Sequence, residues 1–146
     1  MSLHLLKLCV GVAEVGELAR WQRRRFRAAR RADAAAILRH YTRQHPRRAA
    51  EIVAGGSLYW VIRGAVRVRQ SVVAIETVAN HPEGKTCAFV LDPTLVLTLP
   101  QPRRPHQGWR YLDPADAPPD LAIANGGGLA ALPSHLLAEL TALGLL

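Results

Sequence analysis

Leu58-Tyr59-Trp60-Val61-Ile62 is an uninterrupted apolar run fenced by Gly55-Gly56-Ser57 on one side and Arg63-Gly64 on the other. A half-buried strand would alternate apolar and polar residues. A continuous run of this length and composition predicts a central strand covered on both faces. The fold must therefore supply layers above and below it. Gly64-Ala65 predicts a turn or bulge. Val66 to Val78 then reads as a long strand, in which Arg67, Arg69 and Ser71 alternate with Val66, Val68 and Gln70.

The rest of the chain reads as support for that pair. Leu3 to Val10, ending at Gly11, predicts a buried first strand. A helix is expected from Val12 to Arg31, with Val15, Leu18, Ala19, Phe26 and Ala29 as its apolar stripe. Arg20, Arg23, Arg24, Arg27, Arg30 and Arg31 fall on a separate arc of about 120°. That arc is either a solvated face or a surface for phosphate. Ile37 to Gln44 predicts a second strand. Pro46 opens a short helix over Arg47 to Ala54, which Gly55-Gly56 stops. Thr86 to Leu91 predicts a further strand that breaks at Asp92-Pro93 and resumes over Thr94 to Leu99, as expected of an edge or corner. Pro100 to Pro105 reads as extended and exposed, Gly108 to Leu112 as a last short strand, and Asp113 to Leu121 as an irregular strap.

This order predicts an α+β fold, with a mixed, strongly curved sheet or small pseudobarrel flanked by helices. Residues 1–121 are read as one domain, 122–131 as a Gly-rich linker and 132–146 as an amphipathic C-terminal helix that packs on the domain or a partner. No stretch approaches the roughly 18 apolar residues of a membrane span. Leu3 to Val10 carries His4 and Lys7 and does not read as a signal peptide. A soluble, cytoplasmic protein without membrane partners is expected.

Charge is where function first shows. The 146 residues carry a net +8, and residues 20–110 hold 17 Arg and one Lys against five acids. Residues 111–146 hold four acids and no Lys or Arg. A regional excess of this kind favours a polyanionic partner. Basic residues mix with aromatic ones twice, from Tyr59-Trp60 to Arg69-Gln70 and from Arg103 to Tyr111. Arginine supplies bidentate phosphate contacts, aromatic rings supply stacking faces, and amides can read base edges. Trp60, inside the apolar run, is read as core.

Enzyme motifs are not found. His4, His40, His45, His81, His106 and His135 make no His-x-x-x-His spacing, so no metal and no cofactor is expected. Ser57 lacks the Gly-x-Ser-x-Gly elbow, and Gly126-Gly127-Gly128 has no Lys-Ser/Thr partner. Glu51 and Glu76 stand isolated in sequence, and Cys9 and Cys87 read as core thiols. Catalytic residues stay unknown.

Five blocks carry a resemblance across nearly the whole chain: His4-Leu-Leu-Lys-Leu-Cys-Val-Gly11, Thr42-Arg43-x-x-Pro46-x-Arg48, Gly55-Gly-Ser-Leu-Tyr-Trp-Val-Ile-Arg-Gly64, Arg69-Gln70 and Pro102-Arg-Arg-Pro-x-Gln-Gly-Trp-Arg-Tyr-Leu112. They resemble a bacterial domain-of-unknown-function family, which implies identity and no activity. In architecture the chain looks like the pseudouridine-synthase-and-archaeosine-transglycosylase (PUA-like) superfamily, with its ASCH and EVE pseudobarrels. That resemblance implies binding of RNA or modified bases beside the first helices. The Gly-x-Lys-x-x-Glu-x-Arg signature of ASCH domains is absent, so no residue role carries over.

The functional expectation is RNA or single-stranded nucleic-acid binding. Its candidate residues are Arg43, Arg47, Arg63, Arg67, Arg69, Gln70, Arg103, Arg104, Gln107, Trp109 and Arg110. Tyr59 or Trp109 would stack a base. Two alternatives stand beside it. One is a small enzyme acting on a phosphorylated or nucleotide-like substrate, with a pocket near Arg69, Gln70 and Glu51. The other is a protein-interaction module that self-associates through Leu132 to Leu146. Whether the arginine helix and the two aromatic-basic blocks share a face is the most informative observation, because separate faces would dissolve the nucleic-acid case built on those blocks.

Overall fold

The computed structural model describes residues 2–32 and 37–121. The linker expected over 122–131 and the helix expected over 132–146 lie outside the described residues, as do the side chains of Phe26, Ala29, Arg30 and Arg31. The elements run β1 (His4–Leu8), α1 (Val15–Ala32), β2 (Leu38–Thr42), α2 (Ala49–Val53), β3 (Ser57–Ile62), β4 (Ala65–Thr77), β5 (Cys87–Leu91), β6 (Val96–Pro102) and β7 (Trp109–Leu112), with a 3-10 turn at Pro114–Asp116.

These strands form a mixed, open sheet in the order β2-β5-β4-β3-β1-β7, with β6 paired to β4. β1 and β3 are parallel, and the other ladders are antiparallel. The apolar run occupies β3, the middle of this order, and every residue of it is buried. Leu58, Trp60 and Ile62 face the main core with Leu5, Leu18, Val68 and Phe89. Tyr59 and Val61 face a second cluster with Leu6, Val66 and Leu112. The first face is closed by α1. The second is closed by the Asp113–Leu121 strap, where Leu99 N–H donates to Pro119 O at 3.0 Å and Ala117 packs on the cluster. Burial of each such side chain contributes about 1.5–3 kcal/mol.

β4 is long because it serves two neighbours in succession. Its Ala65–Ser71 half pairs with β3, and its Val72–Thr77 half pairs with β5. On the edge opposite β3, β6 pairs with Ala65–Arg69. The break between β5 and β6 at Asp92-Pro93 is held by Asp92 N–H donating to Ser71 O at 2.9 Å. Register shifts at Trp60/Val61, Val66/Val68 and Val72/Ala74 bend the ladder. Four strand spacings separate β5 from β7, about 19 Å on a flat sheet. Yet the Phe89 and Trp109 rings lie 6.4 Å apart, so the sheet curls. Its end strands meet through a side chain: Trp109 Nε1–H donates to Gln44 O, just past β2, at 2.8 Å. No backbone ladder joins β2 to β7 among the described residues.

Turns account for the glycines that matter. Arg63 and Gly64 have φ of 52° and 75°, a two-residue hairpin with both centres left-handed. The turn is therefore one residue earlier than Gly64-Ala65, and Ala65 already belongs to β4. Arg67 braces it, its Nε–H donating to Ile62 O at 2.7 Å. Gly56 allows the end of α2 to touch the start of β1, since a Cβ there would collide with Leu3 O and lie 2.6 Å from Ile52 O. The Pro-Arg segment, read as extended and exposed, begins as strand, because β6 runs on to Pro102 opposite Ala65.

Candidate functional site

Along α1, Leu18, Ala19 and Gln22 are buried against the sheet. The adjoining helical face, Glu17, Arg20, Trp21 and Arg24, follows i, i+3, i+4, i+7 spacing and lines one wall of a cavity of about 480 Å³. The end of β1 and its loop, Lys7 to Val12, form the opposite wall. His40 and Tyr41 of β2, Trp60 of β3 and Lys85 before β5 complete the lining. The cavity thus draws on five separate stretches of sequence. Four fixed cations face it, Lys7, Arg20, Arg24 and Lys85, against the single carboxylate of Glu17.

The electrostatics carry the mark of that crowding. Burial, and then the charge of Lys85, hold the Lys7 amine below the ordinary lysine range, with Cys9 pulling the other way. His40 is driven down to about 3, first by burial and then by Lys7, Lys85 and Arg25. It is a neutral imidazole at pH 7. Burial pushes the Cys9 and Cys87 thiols up to about 11, so neither is a thiolate nucleophile. Lys7 beside Cys9 opposes that shift, but burial outweighs it.

A buried polar network holds Trp60, one of the lining residues, from behind. Gln22 and Gln70 exchange amide hydrogen bonds at 2.7 and 2.9 Å. Trp60 Nε1–H donates to Gln70 Oε1 at 2.8 Å, and Gln70 Nε2–H donates to Asp92 O at 3.0 Å. Every polar atom of the Gln70 amide is thereby used. His40 differs. Its ring stands edge-on to Trp60 at 5.0 Å and tilted to Phe89 at 6.4 Å, and its Nε2 is buried with no hydrogen-bond partner. An unpaired buried group of this type costs about 1–3 kcal/mol. Arg25 lies 4.8 Å over the ring of Trp21, which is itself partly exposed. Among the described residues no group of His, Cys, Asp and Glu is placed to hold a metal ion.

The residues singled out from sequence lie elsewhere. Gln70 is 0 % exposed and bonded as above, which takes it away from any base edge. Trp109 is 9 % exposed, with its indole N–H committed to Gln44 O, so it is core and not an open stacking platform. Arg69 leaves β4 on the face opposite Val68 and Gln70. There it forms a two-bond pair with Asp120 at 2.7 and 2.7 Å and donates to Ser57 Oγ at 3.1 Å. It ties the strap to the sheet, on the side away from α1. Arg63, Arg67 and Arg103 gather at the β3–β4 hairpin, where Arg103 N–H donates to Gly64 O at 2.9 Å. Arg103 also donates to Gln101 and to Asp116 O. Arg104 and Gln107 are exposed in the following loop. Arg43 and Arg110 are exposed neighbours of the Gln44–Trp109 bond, and Arg47 is exposed ahead of α2. The arginine helix and the Arg69 side of the first aromatic-basic block therefore occupy different faces, so the shared Arg and aromatic surface expected from the sequence is not formed, and a nucleic-acid reading needs a different centre.

Sequence reasoning marked Arg20 and Arg24 through the arginine arc, but it did not single out Lys7, Trp21, His40, Tyr41 or Lys85. Lys7, a charge inside an apolar strand, was the available signal. By its blocks the chain belongs to a family of proteins of unknown function, DUF1489, whose model matches residues 5–146. No curated protein and no solved structure matches it.

Proposed function

Starting from a family that carries no stated activity, we propose that this protein binds single-stranded nucleic acid, RNA foremost, with the cavity between α1 and the sheet as the centre of the contact. The observation that carries the reading is the convergence of Lys7, Arg20, Arg24 and Lys85 with Trp21, His40, Tyr41 and Trp60 on one cavity. Cations at that density suit phosphates, and partly exposed rings such as Trp21 suit unpaired bases. The net charge of +8 agrees with a polyanionic partner. Exposed Arg43, Arg47, Arg63, Arg104 and Arg110 would add contacts along a strand that leaves the cavity. We read the curled sheet as a PUA-like pseudobarrel working in the cytoplasm. The Phe89–Trp109 approach and the Trp109 bond to Gln44 support closure through side chains.

Titration of a labelled single-stranded RNA at several salt concentrations tests this. Affinity is expected to fall with salt, with a slope of about −0.7 for each phosphate neutralised. Arg20→Glu with Arg24→Glu is expected to flatten that slope by more than one such increment. Undetectable binding of single-stranded RNA and DNA at low salt would overturn the reading. A second reading, an enzyme acting on a nucleotide-like substrate, is favoured by Glu17, which sets a carboxylate among the cations of the cavity.

A further inference from the structure

Phosphate binding leaves one group of the cavity unexplained. His40 lines it, and its Nε2 is buried without a partner, whereas the neighbouring Trp60, Gln70 and Gln22 side chains are hydrogen-bonded to one another. Trp60 and Phe89 pack on the ring and restrict its rotation. Burial and the charges of Lys7, Lys85 and Arg25 keep the imidazole neutral. A neutral imidazole among lysines and arginines adds little to the capture of an anion. It offers a directed hydrogen bond, as donor or acceptor according to its tautomer, to an uncharged polar atom. A ligand that satisfies both halves of the cavity needs an anionic group for the cations and a flat, uncharged part with polar edges for His40. A nucleotide has both.

We infer that His40 is the specificity-determining residue of this cavity: its Nε2 hydrogen-bonds the edge of one unpaired nucleobase while Lys7, Arg20, Arg24 and Lys85 hold the adjoining phosphate. The inference rests on the nucleic-acid reading above and adds which part of the strand enters and what it meets there. Base readout from a snug site by hydrogen bonds to its edge is the way proteins discriminate among unstacked bases.

The test uses the whole protein and labelled ten-nucleotide oligo(A), oligo(C) and oligo(U). Wild type is expected to favour one of them about five- to tenfold, the effect of one directed hydrogen bond gained or lost. His40→Phe keeps a ring of similar shape without the nitrogen. It is expected to bring the three affinities within about twofold of one another, with the salt slope unchanged. His40→Gln, which retains a polar edge, is expected to keep part of the preference and serves where the Phe variant does not fold. Equal binding of all three strands by wild type overturns the role of His40 but leaves nucleic-acid binding standing. A preference that survives in both variants does the same. No binding of any strand by folded wild type overturns the underlying reading instead.

Discussion

At neutral pH the protein holds His40 uncharged, with burial first and then Lys7, Lys85 and Arg25 setting its pKa at about 3. The unfolded chain returns it to about 6.5. A basic group depressed in this way binds its proton more readily in the unfolded state, so stability is complete above about pH 6.5. It is lost as pH falls, by up to about 1.4 kcal/mol for each pH unit until the folded pKa is reached. Urea unfolding at pH 7 and pH 5 is expected to show a drop in wild type that exceeds the drop in His40→Phe by about 1–2 kcal/mol. His4 and His106 are also lowered, chiefly by burial, and cancel in that comparison because both proteins keep them. Equal drops would mean that His40 is hydrated in the native state. The strand alternation of β4 already grouped Gln70 with Val68, which faces the main core. Its amide chemistry nevertheless suggested a base reader, because sequence does not say which buried partners a side-chain amide will find.

Between elements, the Gln22–Gln70 exchange sets where α1 sits on the sheet, and with it where Arg20, Trp21 and Arg24 stand. Gln70→Leu leaves the Trp60 indole N–H, the Gln22 amide and Asp92 O without their partner and is expected to cost about 2–4 kcal/mol. Gln22→Leu, which orphans fewer groups, is expected to cost about 1–3 kcal/mol. The double variant is expected to cost at least about 1 kcal/mol less than the sum of the two, since neither glutamine is then left facing an apolar partner. Chemical denaturation of the four proteins closes the cycle, and strict additivity would show that the two amides act independently. Most of the elements themselves were legible. Continuous apolarity marked β3, alternation marked β4, and Asp92-Pro93 marked the break that separates β5 from β6. Gln22 was not, although it falls between Leu18 and Ala19 on the buried arc of α1. Helical periodicity places a residue on a face, but it takes the facing strand to say whether a polar one is satisfied there. The cavity was hidden for a related reason. Its lining comes from residues 7–12, 17–24, 40–41, 60 and 85, which only the sheet order brings together.

Over the whole molecule, the order β2-β5-β4-β3-β1-β7 leaves β2 and β7 as end strands, each paired on one edge, and Trp109 reaches from one to the end of the other. Its indole N–H reaches Gln44 O at 2.8 Å, while its ring meets Phe89 of β5 and Tyr111 of its own strand. The same tryptophan, between Gly108 and Arg110, read from sequence as a ring offered to a base. The two roles predict opposite outcomes for one conservative change. Trp109→Phe keeps an aromatic face but removes the donor, leaving Gln44 O without its indole partner. As a packing and hydrogen-bonding contact Trp109 predicts that this change costs about 1–2 kcal/mol of stability, with nucleic-acid affinity and its salt slope unchanged. Trp109→Ala removes the ring as well and is expected to cost about 3–5 kcal/mol. As a stacking platform, by contrast, Trp109→Phe would leave the unfolding midpoint where it was and weaken binding. Thermal unfolding and RNA titration of the same preparation separate these outcomes. A loss of affinity without a loss of stability would return Trp109 to the binding surface.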